Sequence, residues 1–307
     1  MTKIVYVLGE LNVDLIMTGD DVVPEWNREK LVSGFDLALG SSSAITACGL
    51  AGLGLDVRMV SVVGDDDFGA FCIERLKEKG VSVEHVAKLA GEKTGVTLSL
   101  STKRDRALLT YMGTISKLRP EHLPERMLEE ADHLHFGSYF LQESMRPYWF
   151  ELFSKAKARG VSTSFDTGWD PNERWHAEEI SELLAATDVF LPSEDEIMHI
   201  YGGSNVYETL DAAPAHAGRI AVKCGARGAV SKAPGKERFA IPAFPVTPID
   251  TTGAGDSFNA GYIYAYLAGQ REREALRFAC ACGALATTRV GGASSVPSLQ
   301  DVEALLR

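Results

Sequence analysis

Short apolar segments alternate with amphipathic ones through the middle of the chain. Apolar runs predict strands at 133–136, 162–165, 188–191 and 219–223, and apolar residues at three- and four-residue spacing predict helices at 148–159, 177–186 and 194–201. A buried first strand is predicted at Lys3 to Leu8. Regular alternation of strand and helix is typical of a parallel sheet that helices cover on both faces.

A different pattern, in which apolar and polar residues alternate one by one, occupies residues 95–100 and 107–111. The charged residues between them, at 103–106, predict a hairpin turn. Strands of this kind do not belong to the alternation of strand and helix in the rest of the chain. They therefore predict a small separate sheet, built from about 14–37 and 95–112.

One stretch, Asp250 to Gly261, runs from a glycine-bearing turn directly into a predicted helix. Two glycines on either side of Ala254 let backbone N–H groups converge without obstruction, and a helix N-terminus favours an anion. Asp256 places a carboxylate beside that anion site, where it can take a proton from a hydroxyl that attacks phosphorus. The alternative is that Asp256 only caps the helix and the glycines only form the turn.

Two polar residues, Asn12 and Asp14, follow the first strand. Ligands of α/β sheets lie beyond the carboxyl ends of the strands. A carboxylate and an amide two residues apart point the same way and suit a polyol, although Asn and Asp are equally common in turns. Further along, Gly40 and Ser41 precede a helix of small residues, and a serine there predicts an N-cap.

The composition excludes several classes of partner. The chain has 307 residues, 45% of them hydrophobic, and a net charge of −11. Because no run of Lys or Arg forms a basic stripe, nucleic acid and anionic membranes are not expected as partners. The apolar run at the N-terminus is too short for a signal peptide and no later run is long enough to span a bilayer, so a cytoplasmic location is expected.

Five scattered cysteines predict buried, reduced thiols, and Cys280-x-Cys282 has no second ligand pair nearby to suggest a metal site.

The run from Asp250 to Gly261 closely resembles the second signature of the ribokinase-like (PfkB) carbohydrate kinases. The Asn12 and Asp14 opening, the glycine-serine helix start and the glycine turn at Gly225 follow in the family's order. The resemblance implies a single sugar-kinase domain over 1–307. It also implies an α/β fold, with a doubly wound, mainly parallel sheet, helices on both faces and a small β-sheet lid.

The resemblance also implies roles for individual residues, with ATP and Mg²⁺ as cofactors and K⁺ as a candidate monovalent cation. Asp256 corresponds to the catalytic base, and Gly253, Ala254 and Gly255 correspond to the anion hole. The expected sugar-binding residues are Asn12, Asp14, Gly40, Ser41, Tyr139 and Asp256. The expected nucleotide-binding residues are Lys223, Gly225, Gly228, Gly253, Gly255, Cys280 and Gly283. The expected metal-binding residues are Glu196 for Mg²⁺ through water, and Asp250, Thr252, Gly292 and Ser295 for the monovalent cation.

Three positions depart from the family's pattern. Ser41 replaces the second glycine of the first signature, and Ile45 stands near its asparagine. Ser193 stands for the asparagine of a metal-binding Asn-x-x-Glu element, of which Glu196 remains. Fewer polar contacts to the sugar follow, so the identity of the sugar cannot be carried over from relatives.

The pattern of apolar and polar residues in the lid predicts that the lid packs against a second protein chain. Within Val96 to Leu100 one face is apolar and the other is polar, so the polar face can meet the sugar. The apolar face then has no core to pack against, and an exposed apolar patch usually marks an interface. A symmetric homodimer, in which two lids pack face to face, is therefore expected. Arg104 and Arg106 at the hairpin tip would suit a carboxylate or phosphate on the substrate, or are simply solvated.

Three functions remain open from the sequence. The first is ATP-dependent phosphorylation of a sugar or sugar acid, as by ribokinase, fructokinase or 2-keto-3-deoxygluconate kinase. The second is a nucleoside kinase of the same fold, which needs aromatic residues to stack a base; the candidates are Phe35, Tyr111, Phe136 and Tyr139. The third is a non-catalytic regulatory protein that binds a sugar.

Overall fold

The computed structural model of the protein describes residues 2–102 and 106–307. The strands in chain order are β1 (Ile4–Leu8), β2 (Asn12–Thr18), β3 (Gly34–Leu39), β4 (Asp56–Gly64), β5 (Ser82–Leu89), β6 (Gly95–Ser101), β7 (Arg106–Tyr111), β8 (His133–Phe136), β9 (Ser162–Phe165), β10 (Val189–Phe190), β11 (Arg219–Lys223), β12 (Ala229–Lys232) and β13 (Phe239–Ile241). The helices are α1 (Ser42–Gly52), α2 (Asp67–Glu78), α3 (Met127–Glu130), α4 (Trp149–Ala158), α5 (Ala177–Leu184), α6 (Glu194–Tyr201), α7 (Val206–Ala212), α8 (Ala254–Leu267), α9 (Glu272–Ala286) and α10 (Leu299–Leu306). Arg104 of the predicted turn lies outside the described residues.

The main sheet has nine strands in the order β13-β12-β11-β10-β9-β8-β1-β4-β5. Its strands are parallel from β5 to β11, while β12 and β13 add antiparallel pairs at one edge. The predicted doubly wound, mainly parallel sheet is therefore confirmed. The strand β5 was not predicted, because it lies at the edge of the sheet and carries Glu84, His85 and Lys88 among its apolar residues.

Two hydrophobic cores lie on opposite faces of the main sheet. One joins Val5 and Val7 of β1 to α1, α2, α8, α9 and α10. The other joins Tyr6 and Leu8 of the same strand to α3, α4, α5, α6 and α7. Alternate residues of a strand point to opposite faces, so a strand that is apolar throughout can serve both cores. This arrangement leaves the carboxyl ends of the central strands open at one edge of the sheet.

The predicted small sheet is also confirmed, and its strand order is β3-β2-β6-β7. The central pair β2 and β6 is parallel, and each of these strands has an antiparallel neighbour. The chain leaves the main sheet at the end of β1, and β2 begins four residues later in the small sheet. The small sheet therefore lies next to the carboxyl ends of the main strands. Asn12 is the first residue of β2 and Asp14 the third.

The outer face of the small sheet is covered more than the sequence predicted. Val13, Leu39 and Leu100 are buried within the protomer, and Val13 and Leu39 pack in the first core. The expectation that the apolar face has no core of its own was therefore too broad. Toward the outer strands, by contrast, Phe35 and Tyr111 are 64% and 59% exposed. An exposed apolar patch remains, and it is smaller than the whole face.

All five cysteines are buried and free, as the sequence predicted. The Cys280-x-Cys282 pair lies inside α9, and the described residues contain no group of three or more His, Cys, Asp or Glu arranged to hold a metal. No helix within the described ranges is both long and apolar enough to cross a membrane.

Candidate active site

A cavity of about 760 Å³ separates the carboxyl edge of the main sheet from the small sheet. Its floor consists of residues at the end of β1 and at the starts of α1 and α8, and its wall is the inner face of the small sheet. The cavity brings together many residues that lie far apart in the sequence. The predicted site residues that line it are Asn12, Asp14, Ser41, Asp250, Thr252, Gly253 and Asp256.

The turn before α8 has the geometry of an anion site. Gly253 is the N-cap of the helix and has φ +74°, a conformation that favours glycine. A Cβ atom there would also lie 2.9 Å from Cα of Gly292, so no side chain fits. The amide of Ala254 donates to the carbonyl of Thr251 at 3.2 Å, whereas the amides of Gly253 and Gly255 have no partner among the described residues. These two amides are the donors available to a phosphate.

Asp256 lies on the floor of the cavity, in the first turn of α8. Its Oδ1 accepts a hydrogen bond of 2.5 Å from Oγ of Ser42, which lies in the first turn of α1. Burial raises the pKa of this carboxyl to about 7, against the opposing effects of the Ser42 hydrogen bond and the Lys223 charge. A carboxyl with a pKa near the working pH is suited to general-base catalysis.

A buried cation supports the anion site from beneath. The side chain of Lys223 lies 3.6 Å from the position of a Cβ on Gly255, and its ammonium group donates to Asp166 and to Oδ1 of Asn259. Burial lowers the pKa of Lys223, but the carboxylates of Asp166 and Glu196 outweigh burial and raise it above its ordinary value. Lys223 is therefore charged at neutral pH.

The polyol pair predicted after β1 is assembled as one polar group. Nδ2 of Asn12 donates to Oδ1 of Asp14 at 3.0 Å. Gly40 makes this possible, because a Cβ atom on Gly40 would lie 2.2 Å from that carboxylate oxygen. Burial raises the pKa of Asp14 to about 6, while Asn12 and Arg106 act to lower it.

Two departures from the family's pattern have a structural explanation. Ser41 has φ +73°, a conformation that suits the usual glycine, but its Oγ accepts from the amide of Ala44 and donates to the carbonyl of Glu10. Ile45 packs its side chain against the backbone of Gly253 and Gly292, under the anion turn. Ile45, which stands near the family's usual asparagine, is therefore an apolar side chain that packs under the turn and helps to hold it in place.

Glu10, which the sequence did not identify, is the centre of a buried hydrogen-bond network. Its carboxylate accepts from the side chains of Ser41, Ser43, Ser138 and Gln142 at 2.8 to 3.1 Å. The donors come from α1 and from the segment after β8, so the network holds three segments of the floor together. Polar residues directly after parallel strands are the signal that could have revealed it.

Glu196 forms a capping box at the start of α6. Its Oε2 accepts from the amide of Ser193 at 2.7 Å and from Oγ1 of Thr167 at 3.2 Å. Burial and the nearby charge of Asp166 raise the pKa of Glu196 above its ordinary value. The carboxylates of Glu196 and Asp166 lie near the buried Lys223. This pair of carboxylates fits an Mg²⁺ ion that takes most of its ligands from phosphates and water.

The residues predicted for a monovalent cation lie on two adjoining loops. The carboxylate of Asp250 accepts from the amides of Thr252 and Gly291, both at 2.9 Å. Oγ of Ser295 donates to the carbonyl of Gly292 at 3.0 Å. Burial raises the pKa of Asp250, but the Gly291 and Thr252 amides outweigh it and lower the pKa below its ordinary value. A fixed carboxylate beside loop carbonyls fits a monovalent cation.

The predicted nucleotide residues outside the anion turn are not brought into the cavity. Gly225 and Gly228, both with positive φ, border the short helical turn after β11. Cys280 is buried in α9, and Gly283 lets that helix approach α8, since its Cβ would lie 3.1 Å from the carbonyl of Ala254.

The structure does not bring Tyr139 to the cavity. Its ring is buried in the second core, its hydroxyl donates to Glu179 at 3.2 Å, and it borders a separate cavity. Phe136, the last residue of β8, is likewise buried and stacks on Trp149 in the second core. The aromatic residues that line the cavity are Phe35, one of the four stacking candidates, and Trp169, which is 50% exposed and was not predicted.

Comparison with known proteins identifies the family. The model of the pfkB family carbohydrate kinases matches residues 1–299. The chain is 32% identical over 306 residues to an ATP-dependent ribose-1-phosphate kinase from Halopiger xanaduensis, with 97% of this chain and 96% of that protein covered. It is 26% identical to the ribokinase of Bacillus subtilis, with 98% of each chain covered. The chain belongs to the pfkB family of carbohydrate kinases.

Solved structures agree with this assignment. A protein from E. coli assigned as a ribokinase II, in complex with ATP and Mg²⁺, matches with a TM-score of 0.85 and 26% identity over 100% of this chain and 99% of that one. A ribokinase from Arabidopsis thaliana, complexed with ribose and ATP, matches in fold with a TM-score of 0.86. This pfkB kinase is an ATP-dependent enzyme that phosphorylates a hydroxyl group of a carbohydrate.

Proposed function

We propose that this kinase transfers the γ-phosphoryl group of Mg-ATP to a hydroxyl of a sugar or sugar derivative, with Asp256 as the general base. The observation that carries the proposal is the position of Asp256. This carboxylate lies on the cavity floor, in the same cavity as the Gly253 turn and the Asn12 and Asp14 pair. One cavity therefore holds a base, an anion site and a polyol site.

In the proposed reaction the acceptor binds between the small sheet and the floor. Asp14 accepts hydrogen bonds from the sugar hydroxyls and Asn12 both donates and accepts, which orients the ring. Asp256 takes the proton of the attacking hydroxyl as the oxygen bonds to the γ-phosphorus. The amides of Gly253 and Gly255 donate to the equatorial phosphoryl oxygens, and Lys223 adds positive charge beneath them.

The metal requirements follow from the donor atoms. Glu196 and Asp166 would hold Mg²⁺ through water, and the ion would supply positive charge to offset the negative charge of the ATP phosphates. Asp250, Thr252, Gly292 and Ser295 would hold K⁺ beside the anion turn. The nucleotide itself would lie over Gly225 and Gly228, with Cys280 and Gly283 behind the adenine.

The acceptor is proposed to be a sugar rather than a nucleoside. Phe136 and Tyr139 are buried in a core and Tyr111 is on the outer face of the small sheet, so three of the four stacking candidates do not reach the cavity. The residues that do line it are mostly hydroxyls and carboxylates, which suit a polyol. An intact base and anion turn also argue against a regulatory protein without activity.

An ADP-release screen tests the proposed function. Purified enzyme is supplied with Mg-ATP and, in turn, with ribose, ribose 1-phosphate, fructose, 2-keto-3-deoxygluconate, tagatose 6-phosphate or adenosine. We expect ADP release above the acceptor-free rate with at least one sugar, and its loss in Asp256→Asn. A rate with adenosine alone would favour the nucleoside kinase instead, and no rate with any acceptor would refute the proposal.

The small sheet is proposed to act as a lid and as a dimer interface. Phe35, Leu109 and Tyr111 are more than half exposed, and an apolar patch of this kind suits packing against a second copy. Because the donor is ATP, we place the reaction in the cytoplasm.

A further inference from the structure

The cavity carries an unusual balance of charge for a site that binds phosphate groups. Five carboxylates line it: Glu10, Asp14, Asp36, Asp250 and Asp256. Among the described residues that line it, Arg106 is the single lysine or arginine. An acceptor that carries negative charge would be repelled by this surface unless a cation compensates. The position of Arg106 therefore bears directly on which acceptors can bind.

Arg106 spans the mouth of the cavity. It is the first residue of β7 and pairs with Ser101 of β6, on the inner face of the small sheet. Its Nη1 donates to Oγ1 of Thr252 at 3.2 Å, across the cavity. Its charge lowers the pKa of Asp14 and of Asp250, so the guanidinium lies within electrostatic reach of both the polyol site and the anion turn.

Among the described residues, the side chain of Arg106 donates to Thr252, which is a neutral acceptor. A guanidinium has five N–H donors. No ion pair joins Arg106 to any carboxylate among the described residues, although several line the same cavity. An arginine at the mouth of a cavity, with no charged partner in the part of the chain that the structure describes, can take a phosphate or carboxylate through its two-pronged donor face.

Hydroxyl groups beside Arg106 favour a phosphate over a carboxylate. Oγ of Ser99 and Oγ of Ser101 are 3.0 Å apart, and Ser101 pairs directly with Arg106 in the sheet. Each hydroxyl has one proton to donate, so this pair has one proton left for a ligand. A phosphate monoester presents three terminal oxygens and a carboxylate two, and the two-pronged face of Arg106 together with the serine pair supplies donors for three.

We propose that Arg106 forms an anion subsite for a phosphate group on the acceptor, so that the substrate is a sugar phosphate. The proposal rests on the proposed function. The acceptor's phosphate lies under Arg106, and its reacting hydroxyl lies at Asp256. The hydroxyl oxygen bonds to the γ-phosphorus, the bond from that phosphorus to the β–γ bridging oxygen breaks, and the hydroxyl proton passes to Asp256. The products are a sugar bisphosphate and ADP.

The test compares matched acceptors with and without the phosphate. Values of kcat/KM are measured for ribose and for ribose 1-phosphate in wild type, Arg106→Ala and Arg106→Lys, with Arg126→Ala as a control at an exposed arginine outside the cavity. We expect the wild type to prefer ribose 1-phosphate. The preference should fall by roughly 10- to 100-fold in Arg106→Ala, the size expected for charged hydrogen bonds. Arg106→Lys should restore part of it, because it keeps the charge without the planar fork.

Calorimetry of ribose 1-phosphate binding without ATP separates this proposal from the proposed function. If no acceptor is phosphorylated, the proposed function fails, yet binding that weakens by a similar factor in Arg106→Ala still supports the subsite. If neither protein binds ribose 1-phosphate, the subsite is refuted.

Three kinetic outcomes would also overturn the subsite while sugar phosphorylation stands. The wild type could prefer neutral ribose. It could prefer 2-keto-3-deoxygluconate, whose charge is a carboxylate. Finally, Arg106→Ala could lower the rates with ribose and ribose 1-phosphate by the same factor, which would assign Arg106 to the transferring phosphoryl group instead.

Discussion

The floor of the cavity and the small sheet that faces it are built in opposite ways. The floor is buried and rigidly bonded: Glu10 accepts from four side chains, and Asp256 is held by Ser42. The small sheet has an edge strand, β7, in which every residue is exposed. A preorganised polar floor suits the phosphoryl transfer itself. A thin sheet whose inner face carries hydroxyls, carboxylates and Arg106 suits the choice of acceptor, so we assign chemistry and specificity to separate regions.

The largest effect should come from removing the base on the floor. In Asp256→Asn we expect kcat to fall by about 10²- to 10⁴-fold, because the amide cannot accept the hydroxyl proton. KM for ATP and for the acceptor should change little. Steady-state kinetics of the purified variant check this, with Glu74→Gln on the exposed side of α2 as the matched control. Wild-type turnover in Asp256→Asn would remove this residue from the mechanism.

A second large effect should appear on the small-sheet side of the cavity. Asp14→Ala removes a carboxylate that accepts sugar hydroxyls, and we expect it to weaken acceptor binding by about 2–4 kcal/mol. KM for ATP should hardly move. If ATP binding weakens and acceptor binding does not, the two regions do not divide the work as proposed.

The pH dependence near pH 7 reports on Asp256 of the floor, while Asp14 on the small-sheet side, whose pKa burial raises to about 6, titrates at lower pH. Because burial raises the pKa of Asp256 to about 7, the carboxyl is protonated and inactive below that pH and ionised above it. The value of kcat/KM should therefore rise as the pH increases through about 7. A profile that is already flat from pH 5 upward would contradict the assignment of Asp256 as the group that must lose its proton.

Ser42 offers a smaller, more specific test of the same region. Its hydrogen bond favours the ionised form of Asp256, and a bond to a charged group contributes roughly 1.5–3 kcal/mol. In Ser42→Ala the midpoint of the pH profile should move upward by about one to two pH units. Ser42→Thr, which keeps the hydroxyl, should restore it. A reduced rate with an unmoved midpoint would mean that Ser42 has only a structural role.

The two regions also differ in how far the sequence predicted them. The anion turn was readable because Gly253 and Asp256 stand in one continuous stretch, and the Asn12 and Asp14 pair was readable because it directly follows a strand. Glu10 and Ser42 were not identified, since their partners come from segments more than thirty residues away that only the fold brings together. Tyr139 was assigned to the substrate, but a tyrosine after an apolar strand can equally turn into the core.

Substitutions on the outer face of the small sheet should have the weakest effect on catalysis and should instead change the oligomeric state. If two copies pack there, light scattering at micromolar concentration should give twice the mass of the 33.2 kDa chain. Leu109→Asp is the best probe, because Leu109 is 60% exposed on an edge strand and its replacement costs the protomer little. Leu100→Asp is a poor probe, since Leu100 is 8% exposed and its loss would damage the sheet itself. We expect Leu109→Asp to give monomers, and Lys88→Asp on the distant edge strand β5 to leave the mass unchanged. A monomeric wild type, or a dimer that survives Leu109→Asp, would mean that the outer face is not the interface and that the small sheet acts only as a wall of the cavity.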